Sequence, residues 1–123
     1  MTNAGRPRVS RNASDNETVE MSWGKLIWRV AGSLGNTDQL TLGHCLIDEG
    51  QQNGRHYHPN CEELLIVVQG EIVHTWDELE VTMGEGDVIA IPPGVVHNAR
   101  NVGEGIADLL VCFSTPDRLT IDV

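Results

Sequence analysis

Residues 50–70 read GQQNGRHYHPNCEELLIVVQG, and residues 86–101 read GDVIAIPPGVVHNARN. The first stretch carries His56, His58 and Glu63; the second carries His97 behind the rigid turn Pro92-Pro93-Gly94. His56 and His58 are two residues apart, so on a strand they share a face, which in a barrel is a possible interior face. Glu63 opens the apolar run LLIVV, where a carboxylate fits badly unless its charge is compensated. A divalent cation shared with neutral imidazoles compensates it, and His97 completes such a set. Glu62 competes with Glu63 for the carboxylate position, and the histidines have the plainer reading of ordinary surface residues.

Three imidazoles and one carboxylate suit one divalent transition metal: Fe(II), Mn(II), Co(II), Ni(II), Cu(II) or Zn(II). The set contains no cysteine, which argues against a structural zinc site. In an octahedral arrangement four protein donors leave two positions open, as catalytic and ligand-binding sites require.

Outward from these stretches the chain breaks into short strand-like segments about every ten residues. They run Ser22 to Gly32, Gln39 to Asp48, Glu63 to Gln69, Ile72 to Trp76, Leu79 to Met83, Asp87 to Ile91, Val95 to Asn101 and Ile106 to Phe113. Gly or Pro punctuates most of the breaks, and no long segment shows a helical period. The pattern predicts an all-β, antiparallel sandwich or barrel. Residues 1–18, nearly devoid of apolar side chains, read as a flexible N-terminal arm, and residues 19–123 as one domain. Ser114 to Val123 reads as a tail.

Both stretches resemble the signature motifs of the cupin superfamily. The first runs Gly50, five residues, His56, one, His58, four, Glu63, six, Gly70. The second runs Gly86, five residues, Pro92, one, Gly94, two, His97, three, Asn101. All motif positions are filled, and the fifteen residues between the motifs are similar to small single-domain microbial cupins. The resemblance implies a double-stranded β-helix (jelly-roll) barrel with His56, His58, Glu63 and His97 around an internal metal, and a homodimer. It favours Glu63 over Glu62, because Glu63 keeps the six-residue spacing to Gly70. It implies no single reaction. The leading expectation is a small-molecule enzyme that uses the metal as a Lewis acid, an isomerase or lyase. An Fe(II)-dependent dioxygenase and a non-catalytic metal or small-ligand binding module are the alternatives.

Beyond the four donors, His44 and His74 lie on predicted strands and are candidate acid/base residues, with structural roles as the plainer reading. Arg29 is a candidate anchor on the first strand, whereas Arg55 and Tyr57 alternate away from the histidines. Gln69 shares the parity of Glu63 and so reaches toward the cavity rim. Cys61 reads as a partly exposed bystander, and Trp23, Trp28 and Trp76 as packing or dimer-interface residues.

The net charge of −10 disfavours nucleic acid and anionic membranes as partners. The acidic cluster Asp77, Glu78, Glu80, Glu85 and Asp87 reads as a solvated hairpin. Three cysteines without paired spacing argue against a disulfide framework, and no apolar run approaches membrane-spanning length. A cytoplasmic, reduced setting is the corresponding expectation.

Overall fold

The computed structural model describes residues 5–12 and 14–123. Eleven strands form among them: β1 Glu17–Met21, β2 Gly24–Val30, β3 Thr41–Ile47, β4 His56–Tyr57, β5 Glu63–Gln69, β6 Ile72–Trp76, β7 Leu79–Met83, β8 Val88–Ile91, β9 His97–Asn101, β10 Ala107–Phe113 and β11 Ile121–Asp122. They build a six-stranded sheet, β1-β2-β3-β10-β5-β8, and a five-stranded sheet, β11-β4-β9-β6-β7. Every strand pairing is antiparallel. From β3 to β11 the chain crosses between the two sheets at every step except the β6–β7 hairpin, as in a jelly roll.

Period-two burial explains which residues meet between the sheets. In β3 and β10 the buried and half-buried positions alternate without a break. Ile47, Val67 and Leu109 from the larger sheet meet Ile72, Met83 and Ala99 from the smaller in one core. Burying each large aliphatic side chain there contributes about 2 kcal/mol. Gly43 is required by packing: a Cβ at that position would lie 2.5 Å from the Trp28 ring, so only glycine lets the indole cover β3. At the far end, the buried Asn101 side chain donates to the carbonyls of Ile47 and Gly105, both at 2.9 Å, and accepts from Gly103 N–H. The motif asparagine therefore ties β9 to the end of β3 and to the turn before β10.

Three expectations need correction. The strand expected over Ser22 to Gly32 is the second arm of a hairpin whose first arm, β1, begins at Glu17. The boundary set at residue 18 therefore falls inside β1. ETVEM is exposed at all five positions, so its pairing with β2 makes it a strand, without the apolar face that betrays one in a sequence. Within the expected arm, Arg8 reaches Gly35 O at 3.3 Å and Asp38 at 3.6 Å; residues 1–4 and 13 lie outside the described residues.

The expected tail is built into the fold. β11 pairs with β4, and Asn60 receives Leu119 N–H at 3.0 Å while donating to Asp117 O at 3.0 Å. Cys61 is buried in the core and is not a partly exposed bystander. The acidic cluster forms the β6–β7 hairpin and the following turn, with Asp77 in the left-handed region at φ 52°. No described helix is long and apolar enough to cross a membrane.

Candidate metal centre

β4 and β9 are neighbours in the smaller sheet, and His56 lies directly opposite His97 in their register. Their ring centroids are 4.4 Å apart. His58 follows one residue after β4, with its ring 5.0 Å from that of His56 and 5.4 Å from that of His97. Glu63 enters from the larger sheet as the first residue of β5. One donor atom from each of the four residues fits within 4.8 Å of the others. His58, Glu63 and His97 are buried, and His56 is half-buried. Glu62 is exposed, with its backbone N–H on Ser114 Oγ, so alternation along β5 selects Glu63.

Backbone carbonyls aim the three imidazoles. Nδ1 of His56 lies 2.7 Å from Gly54 O, that of His58 2.8 Å from Leu119 O, and that of His97 2.9 Å from Val95 O. A carbonyl oxygen only accepts, so each Nδ1 carries a proton and each neutral ring presents a bare Nε2. His58 Nε2 is buried with no hydrogen-bond partner, yet it stands 3.3 Å from Glu63 Oε1. His97 Nε2 stands 3.1 Å from the same oxygen. Lone pairs facing a carboxylate oxygen at these distances repel unless something positive lies between them. Protonation of His97 meets part of that need. A divalent cation meets it for all four groups, so the donor set fits a metal.

The ionisation pattern follows from the same geometry. Burial alone would raise Glu63, but the adjacent Nε2 atoms of His58 and His97, which donate to the carboxylate whenever those rings carry a second proton, outweigh it and hold the carboxyl down at about 2. Burial pulls His97 down, and the Glu63 carboxylate more than reverses it. His56 is lowered, chiefly by burial.

The site opens into a cavity of about 370 Å³. Trp23, Trp28, Leu26, Leu65 and Val111 give it apolar walls. Trp28 is therefore cavity wall as well as packing.

His74 is the one of the three further candidates that faces this cavity. It is fully buried on β6, stacked on His97 with centroids 5.6 Å apart and ring planes 16° apart. Neither of its ring nitrogens has a hydrogen-bond partner among the described residues. Burial, then the neighbouring His97, lowers it to about 4.

His44 and Arg29 are corrected by strand parity. Cys45 points inward, so His44 points out, where its Nδ1 pairs with Asp108 at 2.7 Å. Trp28 points inward, so Arg29 points out and reaches Ser10 O at 3.5 Å. Gln69 is exposed and does not reach the cavity. Arg55 stays off the cavity as expected, donating to Thr75 Oγ1 at 3.1 Å and to Asp77 O at 2.7 Å.

Sequence reasoning missed what the C-terminal segment contributes. Arg118, Thr120 and Asp122 line the cavity. The Arg118 guanidinium lies 4.2 Å above the Trp28 ring and 5.4 Å from that of Phe113. The signal was there in residues 118–123, RLTIDV, where Leu119, Ile121 and Val123 alternate with Arg118, Thr120 and Asp122, but the segment is short and follows Pro116, and it reads as a tail until β4 pairs with it.

His74 carries a testable pH dependence. Its folded value of about 4 lies below the ordinary 6.5, so in that window the unfolded chain binds more protons. Its contribution to stability is complete above about pH 6.5 and disappears as pH falls through about 4, a loss of about 3 kcal/mol. Denaturant unfolding of chelator-treated protein at about pH 7 and about pH 4.5 checks this. His74→Phe should show a markedly smaller loss than wild type; equal losses would remove His74 as the cause.

Fold and site together define a small antiparallel jelly-roll barrel with a three-histidine, one-carboxylate pocket at its interior. A cupin-domain family model matches residues 43–113, more than half of the chain, and the chain belongs to the cupin family. Among curated proteins, rice (Oryza sativa subsp. japonica) germin-like protein 3-8 is 32% identical over 85 residues, covering 65% of this chain and 38% of its own. The rhicadhesin receptor of Pisum sativum is 24% identical over 120 residues, covering 94% of this chain and 54% of its own. An uncharacterised protein of Methanocaldococcus jannaschii is 28% identical over 76 residues, covering 62% of this chain and 61% of its own. The chain thus spans between about a third and two thirds of these relatives' length.

Among solved structures, Lactobacillus farciminis oxalate decarboxylase in a formate complex superposes with a TM-score of 0.81 at 23% identity, covering 90% of this chain and 34% of its own. Peruvianin-I, described as a cysteine peptidase from Thevetia peruviana latex, superposes with a TM-score of 0.76 at 23% identity, covering 83% of this chain and 68% of its own. At such identities the likeness shows the fold alone, and the two descriptions already differ in chemistry.

Proposed function

We propose that the chain is a metal-dependent enzyme acting on a small oxygen-bearing organic molecule, of the isomerase or lyase kind. The observation that carries this reading is the donor cluster of His56, His58, Glu63 and His97, with ring orientations fixed from behind, opening into a cavity with largely apolar walls. A bound divalent metal would supply Lewis acidity toward a substrate oxygen.

The chain's own residues supply the rest. Gly54, Leu119 and Val95 carbonyls hold the three rings in one tautomer. Apolar walls at Leu26, Leu65 and Val111 keep the dielectric low, which strengthens each polar contact inside. His74 is neutral near pH 7, so it serves as a proton acceptor before it can donate. The resemblance of the fold to an oxalate decarboxylase, a carbon–carbon lyase by its name, is consistent with this reading.

The test is metal analysis, then turnover of sugar, keto-acid and dicarboxylate panels with Mn(II)- and Fe(II)-loaded protein, with and without oxygen. Anaerobic turnover is the expected result. Turnover that consumes oxygen would replace this reading with an oxygenase, and metal retention without turnover would replace it with a binding module.

The working form we infer is a homodimer in a reduced, cytoplasmic setting. Supporting the dimer, the outer face of the larger sheet exposes Leu64 and Val68 on β5 and Val88 on β8. Light scattering should give twice the chain mass for wild type and a single chain mass for Leu64→Glu. A monomeric wild type would contradict the dimer. Cys45, Cys61 and Cys112 are free, which suits a reducing compartment.

A further inference from the structure

We infer that Arg118 is a carboxylate anchor, and that the cavity ligand is a small organic acid whose carboxylate pairs with this guanidinium while a second oxygen function reaches the metal centre. The inference rests on the reading of the four-donor cluster as a metal site and gives its ligand a chemical class.

Arg118 is the cation that lines the cavity; the other charged lining groups are Glu63, committed to the histidine cluster, and Asp122 on β11. The guanidinium is held by its faces, over Trp28 at 4.2 Å and beside Phe113 at 5.4 Å. Its edges are largely free. One N–H group donates to Thr120 Oγ1 at 2.7 Å. Among the described residues the guanidinium has no other hydrogen-bond acceptor and forms no ion pair with a carboxylate. A half-buried cation packed on aromatic faces with its N–H edge free is arranged to receive a planar anion through parallel N–H···O bonds.

Position supplies the second part. Phe113 touches both centres: its ring is 4.9 Å from that of His58 and 5.4 Å from the Arg118 guanidinium carbon. One aromatic ring therefore separates the anchor from the donor cluster, a gap that an acid with a second oxygen function a few carbons away can span. The cavity of about 370 Å³ accommodates a molecule of that size. Trp28, Leu26 and Val111 are apolar parts of the same cavity wall, which suits a short hydrocarbon link between the two polar ends of the ligand.

The test is calorimetric titration of Mn(II)-loaded protein with succinate and with its neutral counterpart succinamide. Wild type should bind succinate in preference to succinamide. Arg118→Gln should weaken succinate binding at least about tenfold, as loss of a charged hydrogen-bond partner does. It should leave Mn(II) content and succinamide affinity unchanged. Arg118→Lys keeps the charge and the packing stem but not the fork, and should recover part of the loss. Near-ultraviolet circular dichroism of the tryptophans checks that both variants keep the wall intact.

Wild-type succinate affinity in Arg118→Gln would overturn the inference, as would equal affinity of wild type for the two compounds or uptake of neither. If the chain retains no Mn(II), the metal reading fails separately. The succinate comparison on chelator-stripped wild type and Arg118→Gln then still decides the role of Arg118.

Discussion

Replacing His56 and His97 together with alanine is expected to abolish metal retention while leaving a folded barrel. The two rings face each other across the β4–β9 pairing and contribute half of the four donors. Removing them leaves His58 and Glu63, too few to outcompete water for a divalent ion. Loss of a group that only orients a ligand costs about 10- to 100-fold in affinity, so loss of two ligands should exceed the upper end of that range. The fold should survive because the core runs through Ile47, Val67, Ile72 and Leu109. Metal content by mass spectrometry with far-ultraviolet circular dichroism checks both halves. Wild-type metal content in the double variant would place the ion elsewhere.

Ending the chain after Ser114 should weaken metal binding about 10- to 100-fold without removing any of the four donors. The deleted segment supplies Leu119 O, the acceptor that fixes the tautomer and direction of His58. It also supplies β11, the edge partner of β4, and the cavity wall at Arg118 and Thr120. Of the strands, only β4 loses a partner, since β11 lies at the end of its sheet. The expected signature is a weakened Mn(II) isotherm with wild-type stoichiometry. Unchanged affinity would mean that the backbone acceptor behind His58 is dispensable.

These two predictions differ in how much of their basis a reader of the sequence possesses. The donor set was legible because each element of it is local. The His56/His58 spacing fixes a common face, and Glu63 is conspicuous at the head of an apolar strand. The strands β3, β5 and β10 were legible for the same reason, through period-two or continuous apolar patterns.

What stayed hidden depends on pairing at long range. His44 and His74 each occupy a strand, and only the sheet arrangement decides that one meets Asp108 outside and the other stacks on His97 inside. Arg29 lost its candidacy to the parity of Trp28. β1 has no buried face, so only its partner β2 makes it a strand. Arg118 reaches the cavity because Asn60 and β4 capture a segment far away in the chain. The alternation of Leu119, Ile121 and Val123 marks a short strand there, but no local pattern says which strand captures it.

The role of this fold is to bring donors from separate segments to one point with their outer nitrogens already occupied. β4, the turn after it, β5 and β9 each deliver one side chain. The carbonyls behind the rings then leave nothing but Nε2 for a ligand inside. The central claim is therefore a position as well as a composition.

Anomalous diffraction from crystals grown with Mn(II) tests it most directly. The expected result is a single strong peak per chain, enclosed by Nε2 of His56, His58 and His97 and the carboxylate of Glu63. An empty pocket with the peak on the Asp77–Asp87 acidic hairpin, or no bound Mn(II) at all, would contradict the account.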